Sequence, residues 1–458
     1  MFSSVFPDTV ETEKKHLNQA KQPQGLRLQV ANWLNLIGLY LYCMSIGPST
    51  AGVNLALALL LCASLLASDK LWTDLRSFPV FWISLALAAY ITLQSYFCIQ
   101  AHPTLGQAGN PHWTHYLLIS GAPSLIIAWW MVRHRKHIPA LLMLTLLGLL
   151  AEFAIEADWA QFWGSALSTR DFWGTPENQV GYLSALGLCA CALIGCRFFL
   201  RNSASSKTTW LFPFLLAIAG MCFAVVSYGA QSRTSWIAVT ITLFIFLGYE
   251  FFHALFKKYA VKRSLLCLVI LTMSASIFPL ANPSNNLKQR LSGTPEAISS
   301  LVSFEPSKVW EASPSLGKRC YIWISGWNAF KERPLFGWGA GGIRILDEIK
   351  VNNFTLLEDG HFHNIYIDTL FSFGIIGAIL FITVYIYIIK YNLQFIGRTN
   401  ILNGFATLPL AWMLVTLIIW LAQVRIGHTG GRSAVLLTLA LLLAPAIWNN
   451  LQTLKSPE

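Results

Sequence analysis

Apolar runs of about 18 to 25 residues, parted by short polar breaks, recur along most of this chain. A helix of that length crosses the hydrocarbon layer of a bilayer. The runs predict twelve spans, at 32–48, 51–68, 78–97, 116–132, 138–156, 179–196, 209–229, 235–256, 264–281, 364–389, 402–424 and 433–450. Two stretches interrupt the rhythm. Residues 1–31 are polar and mixed in charge, with no apolar core of a cleavable signal, and predict a solvated tail. The second, from about Asn282 to Phe362, is the longest hydrophilic stretch in the chain. The predicted order is a cytoplasmic tail at 1–31, nine spans within 32–281, a large outer loop at 282–363, three spans within 364–450 and a cytoplasmic tail at 451–458. The fold class is an all-α polytopic membrane protein whose long loop holds short helices.

Composition agrees. Hydrophobic residues make up 55% of the chain and charged ones 12%, whereas a soluble domain is about a quarter charged. The net charge of +11 does not point to nucleic acid, because the basic residues sit in short loops between spans. With the N-terminus inside, the inner loops and tails carry 19 Lys and Arg and the short outer loops carry four. That asymmetry sets the orientation, with both termini cytoplasmic and the long loop outside. Most of the nine cysteines lie in or beside apolar runs, where Cys acts as a small hydrophobe. No CxxC pair is present, so neither a disulfide framework nor a zinc site is expected.

Three outward features could carry chemistry. Ser232 and Arg233 lie in the tight turn between the seventh and eighth spans, and an ionisable group there is a functional candidate. Arg319 begins a segment to Lys331 with Trp323, Trp327 and Phe330 at helical spacing, which suits a helix on the bilayer surface. Pro334 ends it, and Gly337, Gly339, Gly341 and Gly342 follow, allowing backbone to approach a ligand closely. The third feature is Asp359-Gly-His361-Phe-His363-Asn364 at the start of the tenth span. Two residues apart on a helix, His361 and His363 would point away from each other, which argues against a metal. Guanidinium groups bind phosphate oxygens in a fork, so Arg233 and Arg319 suit a diphosphate. The outward N-terminus of the tenth span adds a dipole that favours anions and a neutral imidazole able to accept a proton. A transporter or lipid flippase is the rival class, with Glu152 and Glu156 as proton relays. The chain shows no internal repeat of the kind that marks such transporters.

Arg319-Cys-Tyr-Ile-Trp323, Arg333-Pro334-Leu-Phe-Gly337-Trp-Gly339, the His363-Asn364…Gly374-Ile-Ile-Gly377 element and Ser232-Arg233-Thr-Ser-Trp236 resemble motifs of the O-antigen ligase and polymerase family. The resemblance covers roughly 230–380. It implies a GT-C-like glycosyltransferase of the bacterial inner membrane, working on the periplasmic side without nucleotide sugar, metal or cofactor. The implied donor is an undecaprenyl-diphosphate-linked glycan, and in ligases the acceptor is a sugar of lipid A-core. Polymerases take a growing glycan and O-oligosaccharyltransferases a protein hydroxyl. By motif match, His363 would be the base and Arg233 and Arg319 would hold the diphosphate. Ser232, His361 and Asn364 would support them, and Asp359 and Asp368 would at most orient. Beyond the two substrates, only membrane lipids are expected as partners.

Overall fold

The computed structural model describes residues 25–101, 112–164, 173–201, 211–256, 299, 306–340, 342, 350–351, 354–355, 361–394, 407–421 and 429–453. In chain order the helices are α1 Leu26–Ser45, α2 Thr50–Leu66, α3 Ser68–Leu75, α4 Pro79–Ala101, α5 His112–Ile119, α6 Ala122–Arg133, α7 Ile138–Glu156, α8 Trp159–Gly164, α9 Glu177–Arg201, α10 Leu211–Ala230, α11 Arg233–Phe256, α12 Pro306–Ala312, α13 Pro314–Glu332, α14 Ile365–Leu393, α15 Thr407–Trp420 and α16 Thr429–Thr453. A small hairpin of β1 Lys350–Val351 and β2 Phe354–Thr355, with an isolated bridge between Ala157 and Trp173, departs from an all-α build among the described residues. The hairpin belongs to the segment expected to hold only short helices.

Among the described residues six helices are long and apolar enough to cross a membrane, or seven if the bent pair α2–α3 is one span. The span predicted at 264–281 and the loop residue Asp359 lie outside the described residues. Three predicted spans differ in detail. The stretch after Leu66 was expected to be a plain loop, yet α3 turns through 85° from α2 and runs sideways. Its Trp72 packs edge-on against Phe81 and Trp82. Residues 116–132 are not one helix: Gly121, at φ +91°, parts α5 from α6, and Pro123 sits in the first turn of the new helix. The span at 364–389 is broken at Gly374, and the described part of the run at 402–424, residues 407–421, holds α15.

Burial ranks the helices. α16 is 83% and α9 78% buried over their spanning windows, against 28% for α4 and for α10. All four are apolar, so what distinguishes them is the number of neighbours that close around each. Small residues bring the helices together: Gly38 on α1 lies against Leu60 and Ala56 of α2, and Gly148 on α7 lies against the Met44 and Cys43 carbonyls at the end of α1.

The bundle has two ends. Arg27, Asp69, Asp74, Ser77, Arg133 and Asn450 gather at one, the basic end. Gly47, Glu152, Gln179, Gly430, Ser232, His363 and Leu421 belong to the other, the histidine end, where the loops expected outside converge.

Candidate functional site

The site is built on the first turn of α14. Asn364 caps that helix: its Oδ1 accepts from the N–H groups of Tyr366 and Ile367 at 2.9 and 3.1 Å. Its Nδ2 donates to the Leu421 carbonyl at 3.0 Å, so one buried side chain ties α14 to the end of α15. Tyr366 repeats the tie one turn on, donating to the Leu417 carbonyl.

Just before the cap, His363 adopts φ +54°, a left-handed conformation that side-chain-bearing residues rarely take. The expectation that the two histidines point apart fails here, because neither lies on a helix. The turn brings the rings into edge-to-face contact with centroids 4.3 Å apart. Between them Phe362 is fully buried. It fills a groove that Gly326 of α13 leaves open, and lies tilted against Phe371 of α14. Trp323 of α13 donates its Nε1–H to the Phe362 carbonyl at 2.9 Å.

That contact seats α13 on the histidines. The buried stripe of α13 is Ile322, Gly326 and Ala329, while Trp327 is 47% exposed. The helix predicted for this segment is present, and it docks by the Trp323 N–H and by its small residues, because only glycine and alanine let Phe362 and Trp338 come close. Arg319, half-buried, stands one turn before Trp323 on the same side of α13.

The glycine-rich stretch after α13 approaches protein backbone at Gly337 and Gly339. α14 breaks at Gly374, which takes φ +64° and ψ −168°. The Phe371 and Ser372 carbonyls freed by the break accept from the N–H groups of Trp338 and Gly339 at 2.8 and 2.7 Å. The Ile375 and Ile376 N–H groups donate to the Pro334 and Leu335 carbonyls, and Tyr90 of α4 donates to the Phe373 carbonyl at 2.7 Å. Gly337 and Gly339, both at positive φ, make this pairing possible. Arg333 stacks over the Trp338 ring at 4.0 Å.

Ser232 and Arg233 reach the same end from the turn between α10 and α11. Ser232 is buried, accepts from the Ser235 hydroxyl at 2.9 Å and lies against Gly181 of α9. Gln231, at φ +48°, makes the turn, and Arg233, partly exposed, opens α11. Next to Gly181 in the chain, the Tyr182–Thr416 hydroxyl pair at 2.9 Å links α9 to α15, and α15 is held to Asn364 through Leu421. The supports of Arg233, Arg319 and His363 are therefore one connected set. Asp368, one turn inside α14, accepts from the Tyr116 hydroxyl of the broken α5–α6 pair, which gives it a packing partner. Among the described residues no group of three or more His, Cys, Asp and Glu is placed to hold a metal.

Residues 216–382 match the family model described as O-antigen ligase. Over that segment the chain is similar to the O-antigen ligase family. The segment carries Ser232, Arg233, Arg319, His361, His363, Asn364 and the Gly374 break. A second similarity is to an uncharacterized protein of Haemophilus influenzae, 24% identical over 236 residues, which are 51% of this chain and 55% of that protein. The chain thus spans about half the length of that relative. Sequence alone missed Gln179, Tyr116 and Tyr90, none of which stands in a motif; only their neighbours in space mark them.

Proposed function

We propose that this protein transfers a glycan from undecaprenyl diphosphate to a hydroxyl of lipid A-core. In this reading the histidine end faces the periplasm, residues 282–363 are a periplasmic loop, both termini are cytoplasmic, and about twelve spans sit in the inner membrane. The observation that carries it is the left-handed His363, fixed between a helix N-terminus and the arginine-bearing α13. The polyprenyl tail lies among lipids beside the bundle. Arg233 and Arg319 face the diphosphate and offset the charge that grows on it as the glycosidic C–O bond breaks. His363 takes the proton of the acceptor hydroxyl, whose oxygen attacks the anomeric carbon from the opposite side. The bonding pair of the broken bond leaves with the diphosphate, and the anomeric centre inverts. Asn364 and His361 hold His363 in place, and Ser232 holds the turn that carries Arg233.

A growing glycan or a protein hydroxyl would suit the same geometry, so the acceptor has to be tested. Membranes holding the protein are given labelled lipid-linked glycan with lipid A-core, with free glycan chains and with acceptor protein in turn. Label on lipid A-core is the expected product, and label on another acceptor alone would overturn the assignment. His363→Ala and Arg319→Ala each lower transfer by about a hundredfold or more while the protein stays folded in the membrane. Normal transfer by either variant would discard the site.

A further inference from the structure

Away from the motifs, Gln179 at the histidine end has a buried acceptor atom with no partner, and the buried Glu152 stands in the same row. Glu152, near the end of α7, is 2% exposed and makes no hydrogen bond or ion pair among the described residues. Gln179, in the first turn of α9, is 4% exposed, and its Oε1 has no hydrogen-bond partner. The two belong to one row. A Cβ on Gly47, which sits at φ +101°, would come within 2.9 Å of the Glu152 Cβ. A Cβ on Gly430 would lie 3.0 Å from the Gln179 Nε2 and 3.6 Å from the Gly47 Cα. Side chains at either glycine would crowd the row, so its wall is bare backbone.

Buried acceptors left unfilled are destabilising and call for a donor. Both the Gln179 Oε1 and the Glu152 carboxylate accept hydrogen bonds, so the chemistry is the reverse of a diphosphate site. An anion would find repulsion from Glu152, whereas the hydroxyl edge of a sugar supplies the missing O–H donors. The row also adjoins the proposed centre: Gln179 precedes Tyr182 by three residues, and Tyr182 reaches Asn364 through α15.

We propose that Glu152 and Gln179 form a subsite for hydroxyl groups of the acceptor glycan, separate from the arginines that face the donor. The proposal rests on the glycan-transfer reading above. It adds that donor and acceptor are told apart by hydrogen-bond polarity, with cationic donors for the diphosphate and neutral or anionic acceptors for the sugar. It also places the second substrate on α7 and α9, outside the matched family segment.

The test is binding of delipidated, dephosphorylated core oligosaccharide to the detergent-solubilised full chain, with transfer measured in parallel. The wild type binds. Glu152→Gln and, independently, Gln179→Met weaken binding about tenfold or more, and Arg27→Ala, at the basic end, binds as the wild type does. The two substitutions also raise the acceptor KM while the donor KM stays within about twofold. Unchanged binding by a folded Gln179→Met, no binding by the wild type, or competition by inorganic pyrophosphate would each overturn the subsite. Intact binding without transfer would instead refute the catalytic reading and leave the subsite standing.

Discussion

The two ends of the bundle are held by different forces. At the basic end opposite charges meet. Arg133 and Asp74 pair at 3.4 Å with both side chains largely buried, Trp129 donates to the same carboxylate at 2.9 Å, and Arg133 lies over the Trp129 ring. Arg135 stacks on Trp448 at 3.8 Å and ties α16 to the turn after α6. At the histidine end the work is done by backbone: the Asn364 cap, the break at Gly374 and the strand-like pairing of 334–339 with it. An end closed by its own ion pairs has no charge to offer a ligand. An end closed by backbone keeps its side chains for chemistry, and there Glu152 makes no ion pair among the described residues.

The sharpest way to break this contrast is at Gly374. Its φ and ψ are open only to glycine, and a Cβ would collide with the Leu335 carbonyl. Gly374→Ala is expected to cost about 3 kcal/mol, to release the 334–342 segment to protease and to abolish transfer. A melting point equal to the wild type's would show that the pairing does not hold the loop. Next in size is Asp74→Ala, which strands a largely buried Arg133 and an indole N–H at about 2 to 3 kcal/mol. Turnover per folded molecule should be unchanged, since that end takes no part in transfer.

A smaller effect concerns His134, in the turn after α6. Burial first, then the nearby His137, Arg133 and Lys136, lowers its pKa from 6.5 to about 4. The unfolded chain therefore takes up a proton before the folded one does. Stability contributed by the neutral ring is present above about pH 6.5 and is lost as pH falls towards 4. His134→Gln should flatten that part of the melting-point profile; an unaltered slope would assign the loss to other groups. The least effect is expected from Arg27→Ala. Its pair with Asp69 at 3.3 Å is exposed, with side chains 55% and 88% accessible, and such pairs contribute under about 1 kcal/mol. A larger loss would mean that exposed and buried pairs at the basic end act as one network.

Much of this was legible in the chain itself. Long apolar runs give helices wherever lipid or other helices surround them, so eleven of the twelve predicted spans lie on described helices of matching position, two of them broken, at Gly121 and at Gly374, and one bent after Leu66. The motif residues Ser232, Arg233, Arg319, His363 and Asn364 were visible because polar groups beside apolar runs are few. The break at Gly374 and the sideways α3 were less so, since hydropathy reports how apolar a stretch is and not where its backbone turns.

Periodicity and charge asymmetry by themselves determined the membrane class, the expected orientation and the short set of candidate residues, because these depend on local composition alone. Only the tertiary structure decided that the histidine rings touch, that the glycine-rich stretch mends a broken helix, and that Glu152 and Gln179 share a row. Those facts depend on backbone dihedrals such as those of His363 and Gly374, and on contacts between residues far apart in the chain, which no window of sequence contains.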